Sequence, residues 1–334
     1  MKLTEKLGLD RVERAAEILR SGGLVAFSTE TVYGLGANAL DEEAVAGIFT
    51  AKERPRWDPL IVHVADRAMV DRIAVVSPEA ERLMAAFWPG PLTLLLPRTS
   101  AVPDAVTAGR ELVGVRMPAH PLALDLIRQA GVPIAAPSAN RFGRTSPTTA
   151  AHVLADLDGR IDALLDGGPT TVGVESTVLD VGAKVVYRPG AVSLEMLGDG
   201  FTIFSGSVSE APESLPSPGV GIRHYAPRAR LVLVSGQEEL EQVVDGLEAR
   251  VGVMLPSGWS AHAASEVYSW GSWDDPEMLA RNLFAGLREL DATGVSVIVC
   301  PLPASGGIGA ALRDRLEKAA RPREPKALHE RTTR

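Results

Sequence analysis

The stretch Gly22–Val64, GGLVAFSTETVYGLGANALDEEAVAGIFTAKERPRWDPLIVHV, decides how this chain is read. Leu24–Phe27 is a strand-sized apolar run. Beyond it, Gly34-Leu35-Gly36-Ala37-Asn38-Ala39 fits the G-x-G-x-x-A pattern of dinucleotide-binding proteins. That fingerprint requires its first glycine at the strand end and a helix that starts inside the glycine run. Here Ser28–Tyr33 separate the strand from Gly34, and the next helix cap is Asp41. With 32 glycines in the chain, such a pattern also arises by chance. Gly34 and Gly36 are therefore read as turn and close-packing positions.

The flanks carry more information. Ser28, Thr29, Glu30 and Thr31 put three hydroxyls and a carboxylate in one loop after a buried strand. That is a ligand-lining position in α/β proteins, or else a turn cluster. Lys52-Glu53-Arg54-Pro55, taken alone, is a helix end with cations on the dipole and a proline stop. Yet Lys52 and Arg54 flank the turn into a strand bearing His63, and two fixed cations beside a hydroxyl loop suit a triphosphate.

Farther on, APSANRFGRTSPT (Ala136–Thr148) follows an apolar strand with Ser138, Asn140, Arg141, Arg144, Thr145, Ser146 and Thr148. Short polar side chains at a helix start make a phosphate or carboxylate cradle. The alternative is that Ser146 caps a helix with Pro147 in its first turn. Arg116, after the strand of Val113–Val115, suits a carboxylate held by two hydrogen bonds, or a structural ion pair.

The 334 residues suffice for two domains, and 46% hydrophobic with 23% charged residues allow a sizeable core. A net charge of −8 and a pI near 5.4 argue against a broad nucleic-acid-coating surface but leave room for a local phosphate pocket. The single cysteine, Cys300, excludes an internal disulfide framework, and six scattered histidines form no metal-binding pair. An N-terminus that has no apolar signal region and carries acids, together with strand-sized apolar runs, points to a cytoplasmic protein without a membrane span. No Walker-type phosphate loop and no G-x-S-x-G elbow occur, so positioning and charge stabilisation are expected to carry the chemistry.

Helices are expected at Asp10–Arg20 (capped by Asp10), Asp41–Thr50, Ser77–Trp88, Pro121–Gly131 and Pro147–Leu157, with strands between them in an α/β arrangement too irregular for a βαβ repeat. Around Ser205–Pro227 the composition shifts: Pro212, Pro216, Pro218 and Pro227 mark a linker. Beyond it strands and helices alternate more cleanly, as in a small Rossmann-like unit. The division expected is a first domain over 1–205, a linker over 206–228 and a second domain over 229–334.

With these pieces placed, the sequence resembles the threonylcarbamoyl-AMP synthase (YrdC-like) family in its long, two-domain form. The resemblance rests on FSTETVYGLGANA, the K-x-R of Lys52 and Arg54, PLIVHV, WPGPLTLLL, VGVRMPAHP, PIAAPSAN, SPT, GVESTVLD, YRPGA and PGVGIRHYAP, in order along nearly the whole chain. ARNLFAGLRELD and GGIGAALRDRLEKA resemble the appended domain.

The family implies an α/β fold: a twisted mixed-sheet domain around a large concave basic cavity, plus a smaller Rossmann-like domain. It implies L-threonine, bicarbonate or CO2, and ATP accompanied by Mg2+, giving threonylcarbamoyl-AMP and pyrophosphate. The product goes to downstream tRNA threonylcarbamoyl-transfer proteins, with tRNA contact weak or indirect. Carried over by matching motif, Thr31, His63, Arg116, Ala136 and Ser176 bind threonine. Lys52, Arg54, Ser138 and Asn140 are catalytic. Arg54, Asp58, Ser138, Ser146, Arg188 and Tyr225 bind ATP, Tyr225 from a linker that reaches over the site. No protein metal ligands are assigned. The chain departs from the family at Asp58, where asparagine is usual, at Leu112, and at Val220-Gly221-Ile222. Two other readings make different predictions: an RNA-binding module with a basic concave face, and an oxidoreductase using Gly34 and Gly36.

Overall fold

A computed structural model describes residues 3–204 and 224–322. Eleven strands form the first sheet: β1 (Glu5–Leu7), β2 (Val25–Phe27), β3 (Gly34–Asn38), β4 (Ile61–His63), β5 (Leu92–Pro97), β6 (Leu112–Arg116), β7 (Ile134–Ala135), β8 (Ala163–Leu165), β9 (Thr177–Asp180), β10 (Val185–Arg188) and β11 (Thr202–Ile203). Their spatial order is β1-β8-β2-β3-β7-β4-β6-β5-β9-β10-β11. Parallel and antiparallel pairs mix: β2 runs parallel to β8 and antiparallel to β3, and β4 parallel to β6. This is the twisted mixed sheet expected.

Eight helices accompany these strands: α1 (Val12–Arg20), α2 (Glu42–Lys52), α3 (Arg67–Ile73), α4 (Pro78–Phe87), α5 (Asp104–Thr107), α6 (Pro121–Ala130), α7 (Ala150–Leu157) and α8 (Leu194–Leu197). One core packs Val12, Ala16 and Leu19 of α1 against Ala123, Leu126 and Ile127 of α6. A second gathers Ile48 of α2, Leu83 of α4 and Val153 of α7. The Asp41 carboxylate accepts from the amides of Glu43 and Ala44 and starts α2, a cap worth about 1 kcal/mol.

After residue 224 comes a four-stranded, all-parallel sheet in the order β12-β15-β13-β14. It is built from β12 (Arg230–Val234), β13 (Val251–Pro256), β14 (Glu266–Gly271) and β15 (Val297–Pro301), with α9 (Gln237–Asp245), α10 (Pro276–Ala292) and α11 (Gly309–Ala320). The smaller α/β unit read from the sequence is therefore present. Most of the expected linker, including Val220, Gly221 and Ile222, lies outside the described residues. Val32, Val174 and Tyr225 pack into the same apolar cluster as Leu279, Phe284 and Leu316, so the two sheets share a core. Among the described residues, no helix is long and apolar enough to cross a membrane.

Three local expectations fail for physical reasons. Asp10 caps nothing: it sits in a 3-10 turn, Leu9–Arg11, closed by the Arg11 amide donating to the Gly8 carbonyl at 3.0 Å. Gly34 and Gly36 make no turn; both lie in the extended strand β3. The packing half of that reading holds, because a Cβ on Gly36 would stand 2.8 Å from the Phe27 ring and 2.9 Å from Ile134. A strand where the helix should begin also removes the dinucleotide fingerprint. Finally, the helix after Ser146 starts later, at Ala150, capped by Thr149. Ser146 is thereby released for another partner.

Candidate active site

Thr29 and Thr31 open the site. Their hydroxyls bond at 2.8 Å, and Thr29 Oγ1 also donates to the Val32 carbonyl at 2.6 Å, so the loop after β2 is held by its own hydroxyls. Arg116, at the end of β6, is buried. Its Nη1 donates to Thr31 Oγ1 at 2.9 Å, its Nη2 to Glu30 Oε1 at 2.6 Å and its Nε to the Gly90 carbonyl at 3.2 Å. Burial pushes the Glu30 carboxyl up, but the Arg116 guanidinium more than offsets this and leaves it below its usual range. Arg116 is thus ion-paired, as one sequence reading had it, and it also borders the cavity.

His63 ends β4 beside Arg116, its register partner in β6. Burial first, and the Arg116 charge second, depress its pKa to about 3, so the ring is neutral. Its Nδ1 is buried without a partner. Ala136 completes this end, its amide bonded to the Ile61 carbonyl at 2.9 Å.

At the opposite end, Lys52 is 1% exposed and its Nζ donates to the carbonyls of Ser138 and Asn140, both at 2.5 Å. Lys52 therefore shapes the Ser138–Asn140 loop from behind. Burial, then the Arg54 charge, pull its pKa well below the lysine range. Arg54 pairs with Asp58 Oδ2 at 2.9 Å and donates from Nη2 to the Pro59 carbonyl at 2.8 Å. The departure at Asp58 thus places a carboxylate against a cation assigned to phosphate. Burial pushes the Asp58 carboxyl up, against the pull of Arg54. Leu112, the second departure, packs against the cluster of Ile61, Leu95 and Val178.

Ser146 Oγ bonds to Glu175 Oε1. Arg188 donates to both the carbonyl and the Oγ of Ser176 at 3.0 Å, and Ser176 Oγ also meets Thr93 Oγ1 at 2.8 Å. Tyr225 is 1% exposed, with φ +62°. It abuts the His224 ring at 4.2 Å between centroids, and His224 abuts Phe142 at 5.6 Å.

Of the sequence-assigned residues, Thr31, Arg54, His63, Arg116, Ala136, Ser138, Ser176, Arg188 and Tyr225 border one cavity. Lys52, Asp58, Asn140 and Ser146 stand behind its wall. The sequence reading placed Glu30 in the ligand loop without its role, which is to orient Arg116, and missed Glu175, which borders the cavity. The cavity measures about 50 Å³, room for a few waters. A large concavity is therefore not shown, since His224 and Tyr225 pack inward as part of the wall. Lys52, Arg54, Arg116 and Arg188 are each less than a tenth exposed and offer no open basic face to RNA. Among the described residues, no group of three acidic, histidine or cysteine side chains gathers to hold a metal.

Two buried histidines and one half-buried one have a consequence for stability. His63, at about 3, His152, at about 4, and His224, well below its ordinary value, are all depressed chiefly by burial. Their folded forms stay neutral while an unfolded chain takes up protons below about pH 6.5. Stability is therefore full above that pH and falls as pH drops toward about 4. Thermal melts between pH 7.5 and 5 should show a falling midpoint with proton uptake on unfolding; a flat midpoint would contradict the assignment.

Residues 17–190 match the Sua5/YciO/YrdC family model, described as "Telomere recombination", and residues 192–321 match "Threonylcarbamoyl-AMP synthase, C-terminal domain". The threonylcarbamoyl-AMP synthase of Pyrococcus abyssi is 44% identical, over 96% of this chain and 97% of that protein. That of Bacillus subtilis is also 44% identical, over 93% of each. A crystal structure of P. abyssi Sua5 complexed with L-threonine superimposes with a TM-score of 0.89 at 42% identity, covering 96% of this chain and 98% of that one.

Proposed function

Since this chain belongs to the threonylcarbamoyl-AMP synthase family, we infer that it is an L-threonylcarbamoyladenylate synthase, converting L-threonine, bicarbonate or CO2, and ATP into threonylcarbamoyl-AMP and pyrophosphate for tRNA modification. One observation carries the assignment of ends within the site. A buried arginine beside paired threonine hydroxyls faces the same cavity as two further buried arginines, Arg54 and Arg188.

The Arg116 fork receives the threonine carboxylate, and Glu30 fixes its plane. Neutral His63 lies beside the amino end, where an imidazolium would repel the substrate ammonium. The threonine ammonium loses a proton to solvent, the free amine attacks the carbon of CO2 as one C–O π pair moves onto oxygen, and loss of a second N–H proton to solvent leaves the carbamate. A carbamate oxygen then attacks the α-phosphorus as the bond to the pyrophosphate oxygen breaks. Arg54 and Arg188 offset the charge that builds on the leaving group, and Ser138 and Ser146 orient it, without a protein nucleophile.

Mg2+ enters with ATP. Asp58 Oδ1 and Asn140 Oδ1 are buried oxygens without partners, hard donors of the kind Mg2+ takes, but both stand behind the cavity wall, so the ATP phosphates would hold the ion. A nucleotide needs more room than this cavity offers, so on this reading Tyr225, one of its lining residues, shifts when ATP binds. On this reading residues 206–228 are a linker between domains at 1–205 and 229–334. The adenylate is labile and passes directly to downstream threonylcarbamoyl-transfer proteins.

The deciding measurement is pyrophosphate release by the purified full chain with Mg2+. Release should require threonine, bicarbonate and ATP together. Release that ignores threonine, or none at all, would sink the reading.

A further inference from the structure

Arg315 on α11 is among the most deeply buried charges in the molecule, 1% exposed, and the chemistry above makes no use of it. Its Nε donates to Glu175 Oε2 at 2.8 Å and its Nη1 pairs with Asp314 at 2.6 Å. The guanidinium carbon stands 5.1 Å from the centre of the Tyr225 ring, within cation–π reach. Phe284 of α10 stacks on the same tyrosine, 5.8 Å between centroids at 27°. Glu175 therefore divides its carboxylate, one oxygen to Arg315 and the other to Ser146. Also from α10, Arg288 Nη2 donates to the Thr145 carbonyl at 2.5 Å and pairs with Asp156 at 2.6 Å.

Two residues assigned to the nucleotide, Ser146 and Tyr225, are thus held by side chains from the C-terminal half. Stability alone explains this poorly, because a buried ion pair is often matched or bettered by apolar packing of the same volume. Apolar packing cannot, however, fix a carboxylate and a ring face at once. A planar guanidinium with donors in several directions does so, and a lysine does not. None of the Arg315 contacts involves Thr31, His63 or Arg116.

We propose that Arg315 is a positioning residue of the ATP end of the site, acting through Glu175 on Ser146 and through the ring face of Tyr225, so that α11 of the C-terminal unit completes a nucleotide site whose assigned contacts run from Arg54 to Tyr225. The proposal rests on the synthase reading for the identity of the nucleotide.

The test uses the full-length Arg315→Gln, Arg315→Lys and Glu175→Gln/Arg315→Gln proteins. It reads pyrophosphate release with ATP and threonine varied separately, Kd for each substrate by calorimetry, and melting temperature. The Arg315→Gln protein should raise the KM and Kd for ATP at least tenfold while the Kd for threonine stays within twofold. Lysine should restore the melting temperature more than the ATP affinity. The double variant, which removes both charges together, should melt close to wild type and still bind ATP weakly.

Unchanged ATP affinity in any folded variant overturns the proposal. So does an equal weakening of ATP and threonine, or a double variant that fails to fold, since either makes the pair purely structural. If the wild-type protein releases no pyrophosphate, the synthase reading falls, and the two Kd values still decide the role of Arg315.

Discussion

Replacing Arg116 with lysine should lower kcat/KM for threonine by about 100- to 1000-fold while leaving the KM for ATP within threefold. The guanidinium donates in three directions, to Glu30, Thr31 and the Gly90 carbonyl. A lysine ammonium reaches one or two of these and cannot present a flat fork to a carboxylate. Lysine keeps a charge opposite Glu30, so the cost lies in the lost fork: each charge-assisted hydrogen bond forfeited is worth about 1.5–3 kcal/mol. Steady-state kinetics with threonine varied at saturating ATP checks this. A Glu30→Gln protein should show the same loss in weaker form, as its amide still accepts a hydrogen bond. An Arg116→Lys protein with normal threonine saturation would place the amino acid elsewhere.

The second large effect is expected at Lys52. Methionine matches its length and fills the same buried channel, so Lys52→Met isolates the loss of the amine. Two buried carbonyls, those of Ser138 and Asn140, lose their donor, and an unsatisfied buried group costs about 1–3 kcal/mol. The loop that carries Ser138 toward the phosphates then relaxes, and one positive charge leaves the neighbourhood of Arg54. Turnover should fall about 100-fold or more, with a lowered melting temperature and threonine affinity nearly unchanged. The comparison that decides is kcat against stability. A protein that melts early but turns over at the wild-type rate would reduce Lys52 to a scaffold residue.

Much of this architecture was legible where local signals were strong. Asp41 and Ser77 cap the helices assigned to them, and Gly131, at φ +68°, closes α6. Apolar runs such as Leu92–Leu96 became buried strands. Two strands were not legible: β1 has three residues, only one of them buried, and β3 carries two glycines that propensity assigns to turns. Its strand character comes from neighbours on both sides, β2 and β7, which a linear reading cannot place.

The site divides in the same way. Thr31, Arg54, His63, Arg116 and Ser138 are marked by polar residues beside apolar strands. Glu175 carries no such mark, because its meaning depends on Arg315, 140 positions later. The capping alternative for Ser146 does not hold, since Thr149 takes the cap.

The sheet order also bears on how the chain is made. Strand β8 lies between β1 and β2, so Glu5 and Val25 both wait for Ala163 before their edges are paired. On the ribosome, N-terminal segments emerge first, and an unpaired strand edge is a template for a neighbouring chain. Until β8 leaves the exit tunnel, the nascent protein exposes β1 and the outer edge of β2. Arg315 arrives later still. The period of greatest risk from misassembly therefore falls in the first half of translation, and the final clamp on the nucleotide end is set only when synthesis is almost complete.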